Sequence, residues 1–256
     1  MKKLIMCLFM ALSFVCGCVS NSPPPKMTTP QLADYIGSES VALVAIGKHH
    51  DMAYCSGVWI SQNMLLTANH CIEGYVDHMN DLFDMNQEYK DAVISYVTPA
   101  EAGDIGKQVK NHHFASVYYL DPKADLALLK AVGTEIPKHR SAKLAASSPV
   151  VGANIYTDGS PSSAYFSFRR GMVSAYREDM SEAGIPEDIH GPFLQASIPI
   201  SFGDSGGGLF DEDGNLIGIA SFMSGEAPDT GFYVHLKTIK KIMMEHQLLP
   251  IPLDKK

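Results

Sequence analysis

Positive charge is scarce in this chain. Its 256 residues carry 20 Lys and Arg against 28 Asp and Glu, a formal charge of −8 with a pI near 5.6. No clustered Lys/Arg face offsets that balance, which argues against nucleic acid as the main partner, because phosphate backbones are bound by concentrated basic surface. Long apolar runs are missing as well. The run from Leu4 to Val15, LIMCLFMALSFV, has twelve residues, whereas a membrane-spanning helix needs about twenty. There is no H-E-x-x-H and no Cys/His cluster of the kind that holds a metal. No internal repeat is visible. Charged residues amount to 19% and apolar residues to 46%, a balance that supports a packed core and argues against wholesale disorder.

What is present begins with an export signal. Lys2 and Lys3 precede the apolar run, in the pattern of a secretion signal. It ends in VCGC, Val15 to Cys18, which resembles a bacterial lipobox, with Cys16 an unusual occupant of its position. The resemblance implies residues 1–17 as a lipoprotein-type signal peptide and acylation of Cys18. An ordinary secretory signal ending nearby is the alternative. Residues 18–31, polar and proline-rich, suit a semi-rigid tether. Val19 is not an acidic residue, which leans outward, toward an outer membrane, if the cell has two membranes. The expected location is therefore the cell envelope, with a membrane partner reached only through the lipid.

Cysteine is sparse, five in all, and Cys7, Cys16 and Cys18 belong to the signal and anchor. Cys55 and Cys71 remain as a single pair in an exported chain, where disulfides persist. Closing that loop would stabilise by roughly 3 kcal/mol on the chain-entropy model. Two free buried thiols are the alternative.

From Ser40 onward short β-type runs alternate with turns: VALVAI (Val41 to Ile46), GVWI (Gly57 to Ile60), MLLTA (Met64 to Ala68), DAVISYV (Asp91 to Val97) and ADLALLK (Ala124 to Lys130). ANIYT (Ala153 to Thr157), GMVSAY (Gly171 to Tyr176) and GFYVHL (Gly231 to Leu236) continue the series, and DEDGN marks a hairpin turn before LIGIASF. Only Leu236 to Leu249 reads as a helix, with Leu236, Ile239, Ile242, Met243 and Leu248 at helical spacing and Pro250 as its stop. Such a pattern predicts an all-β barrel or sandwich protein with a terminal helix. The stretch from Glu73 to His113 is the least legible and predicts long loops.

Three polar features stand out. LLTANHC puts His70 at a strand end, ADLALL puts Asp125 at the mouth of an apolar run, and SFGDSGGGLF puts Ser205 among glycines. In chain order these resemble the His, Asp and Ser motifs of the chymotrypsin-like (trypsin-like) serine peptidases. They stand as Thr67-Ala68-Asn69-His70-Cys71, Asp125-Leu126-Ala127-Leu128-Leu129 and Gly203-Asp204-Ser205-Gly206-Gly207-Gly208. Cys55 falls where that family places the partner of the His-adjacent cysteine. The resemblance covers roughly residues 41–236. It implies two six-stranded antiparallel β-barrels, residues 32–140 with His70 and Asp125 and residues 141–256 with Ser205 and the terminal helix. Ser205 would attack a carbonyl, His70 would take its proton, and Asp125 would fix the tautomer of His70. The amides of Gly203 and Ser205 would hold the oxyanion. Neither a cofactor nor a metal is implied, and the partner is a protein or peptide substrate.

Competing residues carry less weight. Asp121 precedes Asp125 but does not head the apolar run, and the adjacent pairs His49-His50 and His112-His113 read as solvated loop histidines, since neighbours on a strand point apart. His139 and His190 receive no role.

The family pattern also fails in places. The residue that would floor the specificity pocket is Pro199, which cannot select a basic side chain. IASFM places Ser221, Phe222 and Met223 along the pocket wall, and Met223 for a glycine narrows it toward small or medium apolar side chains. Gly208 stands for the usual proline and Asn69 for an alanine. No I-V-G-G-like start exists to supply the amino group that pairs with the aspartate before the serine, here Asp204. Asp204 therefore finds another donor, or maturation occurs at a site the sequence does not reveal. An envelope-tethered binding protein on the same scaffold, without turnover, is the rival reading; an esterase would share the machinery.

Overall fold

Alternating apolar residues between Ser40 and His235 become twelve strands in the computed structural model, which describes residues 26–46, 51–101, 111–178, 189–223 and 227–248. The signal, Cys18 and His49-His50 lie outside those residues. Strands β1 (Ser40–Ala45), β2 (Met52–Trp59), β3 (Met64–Thr67), β4 (Val93–Val97), β5 (His113–Asp121) and β6 (Leu126–Val132) close one antiparallel barrel in the order β1-β2-β3-β6-β5-β4. Strands β7 (Asn154–Gly159), β8 (Ser167–Arg177), β9 (Phe193–Ala196), β10 (Gly208–Phe210), β11 (Leu216–Met223) and β12 (Gly231–His235) close a second in the order β10-β11-β12-β9-β8-β7. Closure removes the free sheet edges that would otherwise invite pairing with another chain.

Each barrel has its own apolar filling, and a third cluster joins them. Leu43, Trp59, Leu65 and Tyr96 fill the first barrel. Ile155, Leu194, Leu209 and Tyr233 fill the second. Between them, Leu66, Leu126 and Leu128 of the first barrel meet Phe193, Phe210 and Ile219 of the second. Two helices complete this shared core. Helix α1 (Thr29–Gly37) contributes Leu32 and Ile36 and opens on a capping box, with Thr28 and Gln31 as reciprocal partners. The terminal helix, here α3 (Leu236–Glu245), contributes Ile239, Ile242 and Met243, as its spacing predicts. The interface that shapes the cleft is thus a continuous hydrophobic contact.

The local structure departs from expectation in three places. The expected tether at residues 18–31 runs into α1, so its last residues form the first helical turn. The stretch expected as long loops after Glu73 opens instead with most of helix α2 (Asn69–Phe83). Its buried apolar stripe is only Cys71, Ile72 and Val76, and Gly74 interrupts it; so narrow a face leaves little periodic signal. Strand β5 also falls at the end of that stretch. His112 and His113 are not solvated loop residues. His112 lies 3.1 Å from Asp51 and 2.9 Å from Ser95, and His113 lies 2.8 Å from Glu101, each imidazole only partly exposed. They do point to different partners.

Candidate active site

His70 sits in the first turn of α2, where backbone N–H groups have no intrahelical carbonyl. That orphan amide donates to Asp125 Oδ1 at 3.0 Å, and His70 Nδ1 lies 3.0 Å from both carboxylate oxygens. Backbone and side chain of one residue thus grip the same carboxylate, which fixes the ring's orientation. Asp125 is 2% exposed and occupies a left-handed conformation, φ 51°, just before β6. Such a conformation strains a non-glycine residue and persists where its surroundings enforce it. Here they do: Ser221 Oγ donates to Oδ2 across the barrel interface. Asp121 ends β5 and accepts from the Ala124 amide at 3.0 Å, across the turn that follows.

Ser205 is carried to the same place by a set of staples. The Ser56 amide donates to the Ser205 carbonyl at 2.8 Å, and the Gly206 amide donates to the Ala220 carbonyl at 2.7 Å. The turn comes so close to the first barrel that a Cβ on Gly206, φ +84°, would lie 2.1 Å from Thr67 Oγ1 and 2.3 Å from the Ser56 carbonyl oxygen. Glycine is therefore imposed by contact as well as by conformation. His70, Ser205, Gly203, Ser221 and Met223 line one cavity of about 510 Å³ between the barrels. The hydrogen bond from Ser205 Oγ to His70 Nε2 is not formed among the described residues. Catalytic hydrogen bonds are often long or absent without substrate.

The segment before Ser205 is held by its carbonyls. Phe202 O accepts from the Ser162 amide at 2.6 Å, and Gly203 O accepts from Ser56 Oγ at 2.7 Å. In a trans peptide the C=O and N–H point in opposite directions, so tying back Phe202 O aims the Gly203 amide away from Ser162. The supporting turn is strained, with Ser162 and Ser163 at φ 50° and 63°. A side chain at Gly203 would lie 2.1 Å from the Ser160 carbonyl oxygen. The glycine there admits the close approach of protein backbone.

Two pocket expectations fare differently. Met223 and Ser221 line the cavity, although the Ser221 hydroxyl is committed to Asp125. Pro199 is exposed and does not line it. Beyond β9 the chain keeps a period of two, burying Ile198 and Ile200 and turning Ser197 and Pro199 outward. Ile200 takes the place in the wall, beside Tyr54, Met52, Phe202 and Phe222, none of which the motif count had singled out apart from Phe222.

Electrostatics suit proton transfer. Burial pulls the His70 imidazole down, but the Asp125 hydrogen bond and charge, with Glu73, more than offset this and raise its pKa above the ordinary 6.5. Cys55 and Cys71 are bridged, with Cα atoms 6.1 Å apart, and their sulfurs lie near His70. Bonded to each other, they are not thiolates available to a metal. The bridge ties β2 to α2 directly beside the imidazole, closing a separation of 16 residues.

Two six-stranded antiparallel barrels with a cleft between them define the chymotrypsin-like class of fold. The chain belongs to the trypsin-like peptidase family: the family described as Trypsin-like peptidase domain matches residues 55–219. A "Probable periplasmic serine endoprotease DegP-like" of Pseudomonas putida (strain W619) is 37% identical over 102 residues, 40% of this chain and 20% of that protein. A protein of the same description from Marinomonas sp. (strain MWYL1) is 32% identical over 112 residues, 44% of this chain and 22% of its own length. The matched region thus spans about a fifth of these relatives. Among solved structures, the serine endoprotease from Yersinia pestis covers 86% of this chain and 66% of its own at a TM-score of 0.59 and 20% identity. The HtrA-type protease AlgW with tripeptide covers 84% and 63% at a TM-score of 0.60 and 23% identity.

Proposed function

We propose that the protein is a serine endopeptidase that hydrolyses peptide bonds through an acyl-enzyme. The observation that carries this is the His70 imidazole, locked on Asp125 and facing the cavity that Ser205 also lines. Ser205 is the nucleophile and His70 the general base, then the general acid for the departing amine. Asp125 holds the tautomer that leaves Nε2 free to accept a proton. The amides of Gly203 and Ser205 stabilise the tetrahedral oxyanion, each such donor contributing about 3 kcal/mol. The cleft wall of Ile200, Phe202, Phe222 and Met223 favours an apolar side chain before the scissile bond. Purified protein should label with a fluorophosphonate and cleave peptides from a library with an apolar residue at that position. A chain that neither labels nor cleaves would be the non-catalytic binding protein, the reading favoured by the absent I-V-G-G-like start.

The protein acts in the cell envelope, exported and held by acyl chains on Cys18. The lipobox-like VCGC and the proline-rich segment after it support this, and an exported site is one where the Cys55–Cys71 bridge persists. Cys18→Ala should move the protein from the membrane fraction to the soluble envelope fraction; retention in the membrane would refute the anchor.

A further inference from the structure

The aspartate before the nucleophile already has a cationic partner within the chain. Arg169, on β8, places Nη2 on Asp204 Oδ1 and donates from Nη1 to the Pro199 carbonyl at 2.8 Å. Asp204 Oδ2 in turn accepts from the Ser201 amide at 2.8 Å, and the Asp204 amide donates back to Ser201 O at 2.9 Å. One guanidinium therefore grips both ends of the segment from Pro199 to Asp204. Between those ends lie Ile200, Ser201, Phe202 and Gly203, all lining the cleft. The planar fork makes this possible, because it presents parallel donors that a lysine ammonium cannot reproduce.

We infer that Arg169 is a positioning residue: it clamps the Pro199–Asp204 segment in the conformation that presents the Gly203 amide to the oxyanion, so the protein is competent without a newly cut amino terminus. The inference rests on the endopeptidase reading and extends it to maturation.

Four observations support the clamp. Asp204 is 2% exposed, and a buried carboxylate needs a paired charge. Burial raises its pKa, and Arg169 opposes that rise. The pair is packed against backbone: a Cβ on Gly159 would lie 2.5 Å from Asp204 Oδ1 and 3.4 Å from Arg169 Nη2. A neighbouring carboxyl, Asp158, is pushed by burial to about 7 and is also drawn down by Arg169, so the guanidinium is the positive charge shared by two buried acids.

The test compares Arg169→Met, which keeps the aliphatic stem, with Asp204→Asn and the double variant in the full chain. For a peptide substrate, kcat should fall about 10²-fold in either single variant, the size of a lost oxyanion donor. The double variant should be no worse than the poorer single one, since the pair acts as a unit. Methylguanidinium added to Arg169→Met should restore part of kcat and should do nothing for the double variant. Amide exchange at Ser201 should accelerate in Arg169→Met by about tenfold or more, a readout that needs no activity. Wild-type kcat in Arg169→Met, additive losses, or a loss that methylguanidinium does not relieve would each overturn the clamp. If Arg169→Met does not fold, Arg169→Lys serves: it keeps the charge but loses the double grip, so an undiminished kcat with unchanged Ser201 exchange refutes the inference. A wild-type protein that neither cleaves nor labels defeats the endopeptidase reading separately, and Ser201 exchange then decides the clamp alone.

Discussion

Ser205→Ala should lower kcat by about 10⁶-fold, to the residue of rate that oxyanion donors and binding alone sustain. The size follows from the chemistry assigned to the hydroxyl. Without Oγ no acyl-enzyme can form, and His70 is left with only water to activate. The substitution removes one atom from a turn whose position is set by backbone, namely Ser56 N to Ser205 O and Gly206 N to Ala220 O. The fold should therefore be unchanged, with a thermal midpoint close to that of the parent. Fluorophosphonate labelling must vanish together with turnover. Labelling that survives would assign the nucleophile elsewhere, and a variant that still cleaves peptides would remove Ser205 from the mechanism. Substrate affinity offers a second check, because the cleft wall of Ile200, Phe222 and Met223 does not involve Oγ. A peptide should bind the variant with a dissociation constant near the parent's, which makes Ser205→Ala the form in which to see a bound substrate.

The parts of this site that were legible in the sequence are those whose signal is local. Ser205 stands in a glycine run whose contacts forbid side chains, and His70 and Asp125 each flank an apolar strand, so residue type and neighbours suffice. Strands such as β1, β4 and β11 were legible for the same reason, as runs whose apolar residues bury together. What escaped depends on partners distant in the chain. Arg169 precedes Asp204 by 35 residues and looks like any polar residue of an exposed strand. Ser221 was placed on the pocket wall, yet its hydroxyl serves Asp125, a contact across 96 residues. Pro199 was misplaced because counting positions back from the serine ignores which way an alternating chain turns each side chain. Helix α2 escaped because tertiary contact, together with the Cys55–Cys71 bridge, holds a segment whose own amphipathic stripe is only three residues wide.

Asp125→Asn should lower kcat/KM by about 10⁴-fold and move its acid limb to lower pH. The sign is set by His70. As the proposed general base it must be neutral, so activity is lost as pH falls through its pKa, which Asp125 and Glu73 together hold above 6.5 against the opposing effect of burial. Removing the carboxylate charge leaves burial with less opposition, and the limb shifts down. The same raised pKa means that the ion pair stabilises the fold fully below pH about 6.5 and that this contribution fades as pH rises through the folded value. Working pH and maximal pair stability therefore lie on opposite sides of one titration. An amide at position 125 can still accept from Ser221 Oγ, but it can also turn its NH₂ toward Nδ1. That forces the ring to protonate Nε2, the atom that must accept the proton from Ser205. The loss is thus larger than the charge alone would give, and it should be visible as a kcat effect with KM nearly unchanged. Histidine titration by NMR in parent and variant, beside the pH profile of kcat/KM, measures both halves. A limb that stays in place, or a loss smaller than about tenfold, would show that Asp125 does not orient the base.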